Sequence, residues 1–136
     1  DVKDVISLVA EKDDDLMGHI MFSPVTLIDS HGDTLDLKLT GLAPVSVRPE
    51  VQKSGVGSAL IWEGLENCRR KRYTACFLIG HPEYYPRFGF KPALSTFGIN
   101  STYDVPDPVF MGQEFIVDQL KGLTGTIHYH PVFAGL

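Results

Sequence analysis

Alternating apolar positions dominate the first third of the chain. Residues 5–11 form an apolar, β-rich run, and the acidic turn at residues 13–15 separates it from a second run over Leu16 to Ile28. A further turn at residues 30–32 precedes leucines at positions 35, 37 and 39. Such runs, bounded by turn residues, are typical of strands. We therefore expect three consecutive antiparallel strands.

The hydrophobic period then changes from that of a strand to that of a helix. Residues Leu42 to Val47 continue as an extended segment, in which Pro44 cannot donate a ladder hydrogen bond and so favours a splayed or irregular strand. An amphipathic helix is predicted from about Gly55 to Arg70, followed by a short buried strand over Ala75 to Ile79. The apolar face of this helix comprises Leu60, Ile61, Gly64, Leu65 and Cys68. Strand, helix and strand over residues 42–79 predict a parallel crossover unit.

Two later apolar runs, Val109 to Val117 and Thr126 to Val132, predict further strands. A loop containing Lys121, Gly122 and Gly125 separates them, and no internal repeat or low-complexity tract occurs. A length of 136 residues fits one compact core. The fold class expected is α/β, in the sense of an α+β mixed sheet, with residues 1–136 as a single domain.

Composition excludes several classes of partner. The formal net charge is −5, which argues against nucleic acid, because phosphate binding needs a dense Lys/Arg surface. The basic cluster Arg69 to Arg72 lies at the end of the predicted helix, where cations oppose the negative end of the helix dipole. No apolar run approaches the roughly 20 residues that span a bilayer, and no signal peptide is evident. Neither nucleic acid nor a membrane is therefore expected as a partner.

The two cysteines, Cys68 and Cys76, stand outside any disulfide or ligand pattern. This indicates a reducing compartment, and we expect a cytoplasmic protein whose thiols pack as small hydrophobic groups. His128 and His130 would share one face of a strand, but no third ligand has a recognisable spacing, so no metal site is predicted.

The segment Gln52-Lys53-Ser54-Gly55-Val56-Gly57 joins the predicted splayed strand to the helix. Glycines let backbone N–H groups approach a ligand, and the amino end of a helix adds partial positive charge. This turn is therefore suited to a phosphate or pyrophosphate group.

Two familiar phosphate-binding motifs do not match this turn. A P-loop needs Lys-Ser or Lys-Thr directly after its last glycine, whereas Ser58 and Ala59 follow Gly57. The dinucleotide fingerprint needs a small residue at the position of Leu60 and an acid at the end of the next strand, where residues 78–80 provide none. Neither ATP hydrolysis nor a nicotinamide cofactor is favoured.

The glycine turn resembles the signature of the GNAT superfamily, in which Gln or Arg, two residues, Gly, one residue and Gly or Ala form a strand-to-helix turn. A second stretch, His81-Pro82-Glu83-Tyr84-Tyr85-Pro86-Arg87-Phe88-Gly89-Phe90, looks like the family's Tyr-x-x-x-Gly-Phe element. Residues 42–49 and 80–90 are most similar to the YhbS-like subgroup, and weaker similarity extends from about Ser7 to Phe133. The resemblance implies a GNAT acyl-CoA N-acyltransferase fold, shortened here by the usual amino-terminal strand and two helices.

The resemblance also implies a cosubstrate and a set of contacts. Acetyl-CoA would bind with its pantetheine arm along the splayed strand and its pyrophosphate on the glycine turn. His81 stands near the place of an asparagine that often contacts the pantetheine. The residues implied in coenzyme A binding are Val45, Ser46, Val47, Gln52, Lys53, Ser54, Gly55, Val56, Gly57, Ser58 and His81.

Acetyl transfer to an amine requires an acid for the departing thiolate, and the resemblance assigns Tyr85 this role. A phenol, with a reference pKa of about 10, is mostly protonated at neutral pH. Tyr84 competes, but it lacks the four-residue spacing to Gly89 and is interpreted as structural. Candidates for the base that accepts the ammonium proton are Glu114, His19 and His81.

The acceptor is expected to be an amine, either on a small molecule or on a protein. Two other readings stay open: a non-catalytic acyl-CoA-binding or regulatory module, and a structural domain with no ligand. Strand edges within residues 109–132 would be exposed in such a fold, which motivates a possible homodimer.

Overall fold

In the computed structural model, which describes residues 5–47 and 55–129, a mixed sheet carries one long helix on one face. The strands are β1 (Ile6–Lys12), β2 (Asp15–Ile28), β3 (Leu39–Val47), β4 (Ala75–Ile79), β5 (Lys91–Pro92), β6 (Ile99–Ser101), β7 (Phe110–Glu114) and β8 (Gly125–Tyr129). The helices are α1 (Val56–Arg70) and α2 (Ala93–Phe97), with 3₁₀ turns over Tyr85–Phe88 and Asp107–Val109. Neither helix of the described part has the length and apolar character to cross a membrane.

The strand order is β5-β7-β4-β3-β2-β8-β6, and β1 pairs with β2. The predicted hairpin of the first two strands is confirmed, with Asp13 and Asp14 at positive φ in its turn. The three consecutive antiparallel strands are confirmed, but the third, β3, begins at Leu39 and not at Leu35. Thr34 forms one isolated bridge with Ile28, and the Leu35 amide donates to the Leu27 carbonyl. The Leu37 amide then donates to the Leu35 carbonyl in a tight turn, and continuous pairing begins only at Leu39.

Helix α1 begins one residue after the predicted start, and its predicted apolar face is the buried one. Of its two glycines, Gly64 is required by packing, since a Cβ there would overlap the ring of the buried Phe22 on β2. The close approach lets α1 cover the first core cluster, which includes Ile20, Leu42 and Cys76. A second cluster, around Leu39, Phe77 and Ile127, lies on the opposite face of the sheet.

The predicted crossover is confirmed, because β3 and β4 are parallel and α1 connects them. Their pairing is short: Leu39 to Gly41 align with Ala75 to Phe77, and no further pairs follow among the described residues. On its other side, β3 continues along β2 to Val47 with a register shift, since Ile20 pairs with Val45 and Phe22 with Leu42. One extra residue on β3 therefore forms a bulge at Ala43 and Pro44. Beyond Gly41 the two parallel strands diverge.

The later strands are shorter than predicted. Val109 ends a 3₁₀ turn, and the amides of Phe115 and Ile116 both bond to the Thr74 carbonyl, so β7 spans only Phe110–Glu114. Strand β8 ends at Tyr129, and the rest of the predicted run, with His130, lies outside the described residues. Strands β5 and β6 and helix α2 had not been predicted.

These additional strands change the basis of the expected homodimer. Strand β7 pairs with β4 on one side and β5 on the other, and β8 lies between β2 and β6. The strand edges that motivated a dimer are thus covered within the described chain, and a dimer through them stays a prediction.

Candidate functional site

The site is built around the gap where β3 leaves β4. Residues 42–47 of β3 pair with β2 only, so their other edge carries backbone groups that no described strand satisfies. Val45 lies in this segment, half-buried against the core cluster beneath α1. An open edge of this kind accepts an extended ligand in the manner of an added strand.

The amino end of α1 lies next along the chain. Gly55 has φ 93° and ψ 0°, a left-handed conformation that favours glycine, although a Cβ there would meet no atom within 4 Å. The first helical hydrogen bond runs from the Ala59 amide to the Gly55 carbonyl at 2.9 Å. The amides of Val56, Gly57 and Ser58 precede it, and no side chain of the described chain caps them. Uncapped amides at the amino end of a helix are suited to an anion.

Several residues implied in coenzyme A binding lie outside the described part of the chain. These are Gln52, Lys53 and Ser54 of the glycine turn, together with the side chains of Ser46 and Val47 beside the implied pantetheine arm. Their assignment stays a prediction.

Tyr85 lies at the far side of the gap, in the 3₁₀ turn after β4. A Cβ on Gly80 would overlap the Tyr85 ring, so this glycine lets the ring rest on the end of the strand. The ring also packs against Tyr84 at 5.1 Å and Phe90 at 6.1 Å between centroids. Burial, and secondarily the neighbouring Tyr84 phenol, raise the pKa of Tyr85 above 10.0, which keeps its proton in place through the neutral range.

Tyr84 connects the two ends of the site. Its hydroxyl lies 3.2 Å from the Ser58 Oγ in the first turn of α1, while its ring packs edge-on against Tyr85 and Phe88. The exposed Arg87 also contacts Tyr84. Its Nε donates to the Tyr84 carbonyl at 2.9 Å, and its guanidinium lies 4.6 Å from the centroid of the Tyr84 ring. This hydrogen bond was not anticipated, because Ser58 and Tyr84 are far apart along the chain.

The three candidate bases occupy different places. The exposed His81 immediately precedes the tyrosine turn, and its carbonyl accepts the Tyr84 and Tyr85 amides at 3.1 and 3.3 Å. His19 Nε2 lies 2.9 Å from Ser7 Oγ, and His19 is opposite Ser46 in the β2–β3 pairing. Both lie at the end of the sheet where the gap opens.

Glu114 is poorly placed for the role of base. It pairs with Ala75 at the start of β4, five residues or about 16 Å along the chain from Gly80. Its carboxylate also accepts the Leu120 amide at 2.8 Å. These contacts favour a structural role. In the described chain, no group of three or more His, Cys, Asp or Glu could hold a metal ion, and His130 lies outside it.

A cavity of about 340 Å³ opens into the same gap from the face of the sheet opposite α1. Its lining residues come from five separate parts of the chain: Ser23, Leu42, Ala43, Ile79, Tyr103, Val105 and Tyr129. Sequence reasoning missed this cavity. Gly41 was its available signal, because a glycine inside a strand often marks the close approach of another group.

Comparison with known proteins identifies the family to which the chain belongs. A family model described as an acetyltransferase (GNAT) domain matches residues 2–93. The uncharacterized N-acetyltransferase YhbS of Escherichia coli is 32% identical over 129 residues, which cover 94% of this chain and 74% of YhbS. The uncharacterized N-acetyltransferase YjhQ of the same species is 36% identical over 102 residues. That alignment covers 75% of this chain but only 55% of YjhQ.

Solved structures agree with the family match. The E. coli YhbS structure in complex with CoA superposes with a TM-score of 0.80 at 31% identity, over 91% of this chain and 66% of that one. A GNAT family acetyltransferase from Brucella melitensis in complex with acetyl-CoA gives 0.71 at 37% identity, over 93% and 67% of the two chains. The predicted fold is thereby confirmed, and the chain spans about two thirds of the length of these structural relatives.

Proposed function

Because the chain belongs to the GNAT acetyltransferase family, we propose that it transfers the acetyl group of acetyl-CoA to an amine. The observation that carries the proposal is that an open β3 edge and an uncapped helix amino end occur together in one site. The first suits an amide-bearing arm and the second suits a pyrophosphate, and coenzyme A contains both. Structural relatives have been solved with CoA and with acetyl-CoA.

In the proposed reaction the amine nitrogen attacks the thioester carbonyl directly. A C–N bond forms, the C–S bond breaks, and negative charge develops first on the carbonyl oxygen. A backbone N–H on the open edge near Val45 is suited to stabilise that charge. No covalent intermediate with a side chain is needed.

Two protons must then move. The ammonium nitrogen loses one, and His81 or His19 is better placed than Glu114 to receive it through water. The coenzyme A thiolate gains the other, and we assign its donor as Tyr85. The raised pKa of Tyr85 keeps this donor protonated.

The test is calorimetric titration with acetyl-CoA of the wild type and a Gly55→Val variant. A valine at φ 93° displaces the first turn of α1, so acetyl-CoA binding should be lost. Gly32→Val is the matched control, because Gly32 has φ 84° and an equally open Cβ direction in a turn away from the site. Both variants carry similar backbone strain, but only Gly55→Val should lose binding.

Two results contradict the proposal. Normal acetyl-CoA binding by Gly55→Val would remove the glycine turn from the site. Tight binding without thiol release for any amine would support the non-catalytic alternative instead.

A further inference from the structure

The cavity opposite α1 is formed by a specific packing arrangement. A Cβ on Gly41 would lie 2.8 Å from Tyr129 Cε1 and 2.9 Å from Val25 Cγ1. The absence of that Cβ lets the Tyr129 ring lie across β3, where it forms one wall of the cavity. Tyr103 extends this wall, with ring centroids 5.7 Å apart. At about 340 Å³ the space is roughly twice a cavity of ~150 Å³ that holds benzene.

The position of the cavity relates it to the reacting centre. Ala43 belongs to the β3 bulge, and Ile79 is the last residue of β4. These two residues stand on the two sides of the gap, at the place where pairing between the strands has ended. A ligand in the cavity would thus reach the gap from the face opposite Tyr85, which packs with the α1 cluster.

The lining is apolar and uncharged. Its described side chains are aliphatic or aromatic apart from the Ser23 hydroxyl and two phenols, and none carries a carboxylate. Burial raises the pKa of Tyr129, so that phenol stays neutral. Asp104 lies between two lining residues in the chain, but it is exposed and does not line the cavity.

The apolar, uncharged lining of the cavity distinguishes between amines by the number of positive charges that they carry. Polyamines and aminoglycosides carry several ammonium groups, and burying an unpaired ammonium is costly. A single amine with an apolar tail would bury the tail and leave its nitrogen at the gap. The low polarity also favours the neutral amine, which is the nucleophilic form.

We propose that the Tyr129 cavity binds the acceptor, and that the acceptor is a primary amine with one compact, uncharged apolar or aromatic tail. This inference rests on the proposed acetyl transfer for its chemistry. The cavity itself can be tested separately from transfer.

The test uses two amines that differ in one group. 4-Methylbenzylamine has an apolar tail, and 1,4-bis(aminomethyl)benzene replaces its methyl by a second aminomethyl group. Binding is followed by NMR through the Ile79 methyl and Tyr129 ring signals, and thiol release from acetyl-CoA is measured in parallel. The monoamine should bind, and be acetylated, at least about tenfold better than the diamine.

A variant pair then assigns the preference to the cavity. Val105→Asp places a carboxylate in the wall and should shift the preference toward the diamine by about tenfold or more. Val117→Asp is the control, because Val117 is 82% exposed and does not line the cavity. The NMR assay on the wild type stands alone if Val105→Asp fails to fold.

Two outcomes would overturn the inference: equal or tighter binding of the diamine to the wild type, or no response of the Ile79 and Tyr129 signals to either amine. Failure of acetyl-CoA to bind, with the monoamine still seated at Ile79, would refute the proposed transfer while the cavity assignment stands.

Discussion

Replacing Tyr85 by Phe removes the assigned proton donor and keeps its ring. The ring contacts with Gly80, Tyr84 and Phe90 are retained, and the hydroxyl has no hydrogen-bond partner within the described chain. The free energy of unfolding should therefore change by less than about 0.5 kcal/mol. Acetyl-CoA affinity should be equally unaffected.

Turnover should fall by roughly 10²- to 10⁴-fold if protonation of the thiolate contributes to the slow step. This corresponds to about 2.7–5.5 kcal/mol of lost transition-state stabilisation. Tyr84→Phe is the matched control, because it loses the hydroxyl contact with Ser58, which is worth only about 0.5–1.5 kcal/mol. Tyr85→Phe should thus show a large loss of turnover, whereas Tyr84→Phe should lose only the energy of one hydrogen bond.

The assay is thiol release across a pH series with one acceptor for all variants. Because burial raises the pKa of Tyr85 above 10.0, any loss of wild-type kcat from Tyr85 ionisation should begin at a higher pH than an ordinary phenol would give. The assignment is wrong if Tyr84→Phe loses turnover and Tyr85→Phe does not.

Three further predictions concern the framework of the site. In Gly64→Ala the added Cβ overlaps the Phe22 ring. The overpacking cost of about 1–3 kcal/mol should outweigh the roughly 1 kcal/mol gained in helix propensity, so the variant should be less stable. A denaturant midpoint at or above the wild-type value would contradict the packing. Burial raises the pKa of Cys68 from 9.0 to about 12, so its contribution to stability is complete below pH 9 and is lost as the pH rises toward 12, by about 1.4 kcal/mol per pH unit. Urea unfolding from pH 8 to 11 should show a shallower decline for Cys68→Ala, and parallel curves would count against this origin. Finally, a double-mutant cycle of Ser58→Ala and Tyr84→Phe, read by the free energy of unfolding, should show a coupling of about 0.5–1.5 kcal/mol, and additive effects would mean that the hydrogen bond does not link the two ends of the site.

Local patterns were enough to predict the crossover unit that contains the glycine turn. Helix α1 and strand β4 each follow one hydrophobic period, and their burial depends on residues close in sequence. Pro44 correctly indicated an irregular strand, although the bulge beside it depends on the one-residue offset against β2. The third strand begins later than predicted because a backbone turn interrupts a pattern that side chains alone would continue.

The cavity and the tyrosine contacts could not be predicted in this way. Tyr129 lies over Gly41 only because β8 pairs with one end of β2 while β3 pairs with the other edge of that strand. Nothing in the sequence near Tyr84 indicates Ser58 as its partner. Both features arise when the strand order brings distant segments together, which no local period records.

The divergence of β3 from β4 also determines how the two faces of the sheet divide the proposed chemistry. Tyr85 packs with the cluster beneath α1, whereas Tyr129 belongs to the cluster on the other face. If the acceptor enters from the Tyr129 side, its nitrogen and the Tyr85 hydroxyl approach the thioester from opposite sides of the gap. The incoming nucleophile and the donor to the leaving thiolate then do not compete for space. A sheet with β3 and β4 fully paired would close this passage, so the short pairing that ends at Gly41 and Phe77 is as important to the proposed reaction as any side chain.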